Sequence, residues 1–191
     1  MNFDNVEGLS ITFGNDAGGI ILGIVFFLIG YILYFRKKQY TIFKLGVLLT
    51  LFIYITMVIG VTLTPFPLNF AEIKNLQWLH ESSNYLNLIP FKEIFSYLHQ
   101  CVLNVIMFIP FGILYPLYKG KINIKYAIVS STIFTVLIEM LQLTFSIIFQ
   151  APAWFFDIND IMANVLGGII GYIILKAIVK PIILNVLHIE I

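Results

Sequence analysis

Charge is what this sequence has least of. Aspartate, glutamate, lysine and arginine make up 11% of its 191 residues, whereas a soluble domain carries about a quarter. With 60% hydrophobic residues and a mean hydropathy of +0.96, the composition is that of a membrane protein. The net charge of +1 leaves no basic face able to follow a phosphate backbone, so no nucleic-acid partner is expected. A single cysteine, Cys101, excludes an intrachain disulfide and reads as a small packing residue. His80, His99 and His188 are scattered and read as solvated or interfacial. Also missing are HExxH, GxSxG and a phosphate-cradling glycine loop. Without a repeat, low-complexity tract or flexible linker, residues 1–191 read as a single membrane domain.

What is abundant is apolar sequence in long runs. Five stretches, 18–35, 45–63, 101–118, 126–148 and 161–179, approach the length needed to cross a bilayer, roughly 20 helical residues for about 30 Å of hydrocarbon. Helices are expected because backbone groups in lipid must be satisfied within the segment or in a closed barrel. The fold class is therefore an all-α integral membrane protein with about five transmembrane helices.

The cations orient these spans. Arg36, Lys37, Lys38, Lys44, Lys119, Lys121, Lys125, Lys176 and Lys180 flank one side, leaving Lys74 and Lys92 on the other. The positive-inside rule puts the larger group in the cytoplasm, with the N-terminus outside and the C-terminus inside. The tail with Asp4, Glu7 and Asp16 lacks the basic region of a cleavable signal, so the first span is expected to remain. "IPFKEIFSYL" (89–98) places Phe91, Ile94, Phe95 and Leu98 on one helical face. It reads as an outer interfacial amphipathic helix before the third span, with Pro90 in its first turn. "TPFP" stops the second span. The spacings Gly19–Gly23 and Gly167–Gly171 permit close helix contact.

Polar residues inside the spans converge at one depth. Glu139 lies thirteen residues into the fourth span, about 20 Å at 1.5 Å per residue and thus in the outer half. Gln142 follows at i+3, and Asn104 sits one turn inside the outer end of the third span. Asp157, Asp160 and Asn164, at i, i+3 and i+7, open the fifth. A charged acid at mid-membrane costs on the order of 3 kcal/mol, so Glu139 should be protonated, paired, or facing a water-filled recess. Asp157 and Asp160 also suit the N-cap and N3 positions of a helix start, and Asn104 and Asn164 could simply bond between helices.

Residue type leaves the chemistry open. Glu139, Asp157 and Asp160 are candidate acid/base residues and candidate ligands for a divalent cation. With Asn104, Gln142 and Asn164 they could instead receive the hydroxyls or amines of a glycan or lipid head group.

"LNLIPFKEI" (86–94), "LNVIMFIPFGILYP" (103–116), "IEMLQL" (138–143) and "FDINDIMANVLGGIIGY" (156–172) occur in that order. Together they resemble the VanZ-like family of bacterial membrane proteins over about residues 61–172. The family pattern carries over to Asn104, Pro110 and Gly112, to Glu139 and Gln142, and to Asp157, Asp160, Asn164 and Gly168; Pro110, Gly112 and Gly168 would shape the helices. Trp154 stands where the family often has arginine, and Asn159 where many members have aspartate. The resemblance implies a multi-pass protein of the bacterial cytoplasmic membrane that contributes to glycopeptide (teicoplanin-type) resistance. Such a protein would bind or modify a lipid-linked cell-surface component through an outward-facing acidic/amide pocket. Its partners would be membrane lipids and a lipid-linked envelope polymer or lipoglycopeptide. Two alternatives are an intramembrane acid/base enzyme on a lipid-linked head group and a structural membrane subunit without catalysis.

Overall fold

A computed structural model describes residues 41–63, 86–92, 97–149 and 155–186. The expected first span, the acidic tail, the "TPFP" stop, Trp154, and the Gly19–Gly23 spacing lie outside these residues. Four helices, α1 (Ile42–Leu63), α2 (Leu98–Lys119), α3 (Ile124–Phe149) and α4 (Ile158–Ile174), correspond to the second through fifth expected spans. Each, with α4 extended by the helical segments that follow it, is long and apolar enough to cross a membrane. After α4 the chain continues through a π-helical turn at Leu175–Val179 into α5 (Lys180–Val186). Pro181 removes the N–H that would bond the Ala177 carbonyl, a local cause for the wider turn.

The helix ends follow from local chemistry. Gly120 adopts the left-handed conformation (φ 64°) just past α2, its N–H donating to the Leu117 carbonyl at 3.2 Å while the Lys121 N–H reaches Pro116 at 3.1 Å. That pair of bonds is a Schellman motif. Three residues on, Asn123 Oδ1 accepts the Lys125 N–H at 2.8 Å and starts α3. The short α2–α3 turn makes the two helices antiparallel neighbours. It is flanked by aromatic rings under cations: Lys119 Nζ lies 5.2 Å from the Tyr118 ring centre and Lys121 Nζ 5.6 Å from that of Tyr126. At the same end Val47, Leu117, Leu175 and Ile183 form a buried cluster. Antiparallel packing therefore collects Lys44, Lys119, Lys121, Lys125, Lys176 and Lys180 at one end and Glu139, Asp157 and Asp160 toward the other.

The acidic end is closed by a very short parallel pair. Strand β1 (Leu86–Asn87) lies beside β2 (Phe156–Asp157), with Leu86 opposite Phe156 and Asn87 opposite Asp157. Here the structure departs from the sequence expectation. Ile89–Lys92 form a turn, not the first turn of an interfacial helix; residues 93–96 lie outside the described residues. The turn is set by Phe91, whose φ of 63° is incompatible with a right-handed helix, and closed by the Lys92 N–H on the Ile89 carbonyl. The attachment of β1 to β2 favours this tight reversal at 89–92 over a first helical turn there.

Close contact between α2 and α4 holds the bundle together, with α3 packed on their shared side. A Cβ on Gly167 would run into the Val105 carbonyl, one on Gly171 into Ile109, and one on Gly112 into Gly168. The Gly167–Gly171 spacing thus lets α4 lie backbone to backbone on one turn of α2. Phe108 and Phe111 fill the adjoining space, stacking toward Phe134 of α3 with centroids 5.5 and 4.8 Å apart. Outward-facing Ile133, Leu137, Ile147 and Leu166 are exposed, as lipid-facing residues would be.

Gly167→Ala or Gly171→Ala should push α4 off α2 and destabilise the protein by about 1–3 kcal/mol. Thermal unfolding in detergent would register this as a lower midpoint. Gly46→Ala is the control: its Cβ would meet nothing within 4 Å, so its midpoint should stay or rise.

Candidate functional site

The site begins where α4 begins. Asp157 has extended backbone (φ −121°, ψ 120°) and its Oδ1 accepts the Asn159 N–H at 2.7 Å, the N-cap expected from the sequence. Its other oxygen, Oδ2, accepts from Asn87 Nδ2 at 3.0 Å and so ties β1 to the helix start. Asn159, itself buried, adds a third tie by accepting the Phe91 N–H at 2.7 Å. That bond holds the left-handed residue of the turn in place.

Glu139 reaches this cap from α3. Its Oε2 accepts the backbone N–H of Asp157 at 2.9 Å, and the side chain is only 2% exposed. Glu139 therefore binds one of the free donors just before a helix, where the helix dipole also favours negative charge. One turn into α4, Asp160 Oδ2 accepts from Gln100 Nε2 at 3.1 Å, with Asn104 beside it on the same face of α2. Deeper still, Asn164 Nδ2 donates to Thr135 Oγ1 at 2.8 Å, with both side chains buried. Gln142 Nε2 donates to the Thr62 carbonyl at the end of α1, 3.0 Å away.

These groups border a cavity of about 580 Å³, within the size range of small-ligand pockets. Asn104, Glu139, Gln142, Asp160 and Asn164 all line it, and Gln100 completes the polar side. Met57, Val58, Val61, Leu103, Ile106 and Met107 supply apolar lining. Pro110 lines it too, and one helical turn before it the Met107 carbonyl accepts the Tyr54 hydroxyl at 2.7 Å, binding α1 to α2. Gly112 and Gly168 shape the site from behind by letting the helices meet; a Cβ on Gly168 would also strike the Ser131 hydroxyl.

Of the six polar residues that the sequence singles out, five thus face one cavity. Asp157 lies beside it, with both carboxylate oxygens engaged in the cap and the strand tie. Because Glu139 meets the Asp157 backbone, the three acids considered as cation ligands do not form a cluster. Among the described residues no group of three His, Cys, Asp or Glu side chains could hold a metal ion. Lys92, the outer cation that the sequence reading places near the cluster, is exposed in its turn and does not line the cavity.

Several participants escape a reading of the sequence by depth. Gln100 stands one helical turn before Asn104 and Thr135 one turn before Glu139, so the i, i+4 spacing is a usable signal for both. Asn87 and Thr62 offer none, since each acts through a contact distant in sequence.

Asp157→Ala should lower the thermal midpoint by removing the cap, at a cost of about 0.5–2 kcal/mol. Combined with Asn87→Ala the losses should be less than additive in a double-mutant cycle, because the two share one bond. Strict additivity would mean that the strand tie carries no energy. Glu139→Gln keeps an acceptor for the Asp157 N–H and should leave the midpoint near that of the wild type.

Among known proteins, the VanZ/LLP1 family model matches residues 51–180, wider than the stretch carrying the motifs and including most of α1. No curated protein and no solved structure matches the chain. The family match covers well over half of the sequence and every residue that lines the cavity from α1 to α4, so this multi-pass membrane protein belongs to the VanZ/LLP1 family.

Proposed function

We propose that this protein sits in the bacterial cytoplasmic membrane with its acidic end outward. There its cavity binds a lipid-linked envelope component or a lipid-tailed glycopeptide, reducing sensitivity to teicoplanin-type antibiotics. One observation carries the reading: acids and amides from three helices line one cavity together with apolar residues of α1 and α2. A pocket of that construction suits a molecule with a polar head and a hydrocarbon tail. Family membership supplies the link to glycopeptide resistance. The orientation rests on the lysines gathered at the opposite end.

A second reading is an intramembrane enzyme acting on a lipid-linked head group, with Glu139 or Asp160 as general acid/base. The observation favouring it is the carboxylate of Glu139, buried yet lining the cavity. Turnover of such a lipid by the purified protein, abolished in Glu139→Gln, would select this reading over binding alone.

Two measurements test the proposal. In a susceptible Gram-positive host, the wild type should raise the inhibitory concentration of teicoplanin more than that of vancomycin. Glu139→Gln and Asp160→Asn should lose that selectivity at matched membrane expression; equal protection by the variants would count against the cavity. For orientation, cysteines are introduced singly into a Cys101→Ser background. Leu88→Cys should react with an impermeant maleimide on intact cells, and Lys121→Cys only after permeabilisation. The reverse pattern would place the acidic end inside.

A further inference from the structure

The cavity is rich in acceptors and poor in donors. Among the described lining residues none is lysine, arginine or histidine. Glu139 receives one bond, from the Asp157 N–H, and Asp160 receives bonds from Gln100 and Asn104. The amide nitrogens of Gln142 and Asn164 are already committed to Thr62 and Thr135. What remains without a partner is their oxygens: Gln142 Oε1 and Asn164 Oδ1 are both buried and unbonded. Asn164 is only 2% exposed. A buried acceptor without a donor is costly, and a buried carboxylate with too few partners more so. Whatever occupies this space is favoured if it brings N–H or O–H donors, and favoured more if it brings positive charge. A phosphate would do the opposite, adding negative charge beside Glu139 and Asp160.

The apolar wall shows how such a molecule would arrive. Met57 and Val61 on α1, and Leu103 and Ile106 on α2, line the cavity and are also exposed on the outside of the bundle, Val61 by 55% and Ile106 by 56%. An entry between these two helices would face the hydrocarbon of the bilayer. Lower down, the Tyr54–Met107 bond shuts the gap between the same helices.

We infer that the ligand is a cationic amphiphile carrying a primary amine. Its chain passes between α1 and α2 from the bilayer, and its ammonium group sits among Glu139, Asp160, Gln142 and Asn164. This rests on the binding reading above and narrows it, from a lipid-linked component of any head group to one whose polar end is a positively charged donor. The amine supplies three N–H donors to a cluster short of them, and its charge is met by the two carboxylates that line the cavity.

The test uses full-length protein in phosphatidylcholine nanodiscs, with tritiated dodecylamine, dodecyl phosphate and dodecanol as probes and empty discs subtracted. Dodecylamine should bind saturably, near one per protein, and bind at least about tenfold more tightly than the phosphate. Glu139→Gln combined with Asp160→Asn should lose that preference. Val61→Trp or Ile106→Trp should slow or weaken amine binding by narrowing the opening, whereas Ile133→Trp, on an exposed face of α3 away from the cavity, should not. Matched thermal midpoints guard against misfolded variants. Preference for dodecyl phosphate would overturn the cationic assignment while leaving a lipid-binding cavity in place. Saturable calcium binding that excludes the amine would overturn it in favour of an inorganic ion. Absence of saturable binding by any of the three probes would overturn it as well, and the teicoplanin comparison would then decide the broader reading separately.

Discussion

A carboxylate buried in a membrane helix must be met by donors, and Glu139 is met by a backbone N–H at the threshold of α4. Most of the acidic end depends on that contact. It fixes the depth of α3 relative to α4, since an N–H at residue 157 can be reached from only one turn of the facing helix. It fixes the backbone of Asp157, which must remain extended for its N–H to point at α3 and for its side chain to cap the helix it precedes. An extended residue there can pair with β1, and so the loop before α2 is held against the same point. One buried acid thus connects α3, α4 and the loop leading into α2.

The second constraint is steric. The carbonyls of Val105 and Ile109 occupy the places where side chains on Gly167 and Gly171 would be. Bringing the α2 and α4 backbones together places Asn104 and Gln100 of α2 against Asp160 of α4, a contact of short side chains that bulkier residues between the helices would prevent. On the far side, α1 meets α2 through side chains, with Tyr54 and Ile55 packed against the cluster of Phe108 and Phe111, and through the Tyr54–Met107 bond. The cavity lies along the second junction, lined by Met57, Val58 and Val61 of α1 and Leu103, Ile106 and Met107 of α2. The tight packing of α2 on α4 follows from where Gly112, Gly167 and Gly171 stand.

Much of this architecture is legible in the residues themselves. Hydropathy locates the helices of the described region, and the turn chemistry of Gly120 and Asn123 agrees with their ends. Depth along the helices groups Asn104, Glu139, Gln142, Asp160 and Asn164, because helical rise converts sequence position into height with little ambiguity. What depth does not supply is azimuth and partner. Asp157 shares the depth of the others, yet its side chain turns to Asn87, 70 residues earlier in the chain. The turn at 89–92 defies its apolar spacing for a related reason. That spacing fits a helix, but Asn159 captures the Phe91 N–H and strand pairing fixes the preceding residues. Long-range bonds outweigh a short local periodicity.

Asp157 and Glu139 show how two acids at one depth come to differ. The carboxylate of Asp157 is consumed by the fold: each oxygen accepts a bond whose donor belongs to the same chain and is needed for the architecture. Glu139 gives the fold one oxygen and still borders the cavity, as Asp160 does. The same division separates the amides. Nitrogens hold helices together, and the oxygens of Gln142 and Asn164 are left without partners. A membrane protein folded only for stability would have little reason to leave these acceptors unmatched at that depth, where each costs free energy and an apolar residue of similar size would cost none. The residues that carry the unmatched amide oxygens line the same cavity as the two carboxylates. The proposed binding role rests on that coincidence, which a task of joining helices does not require.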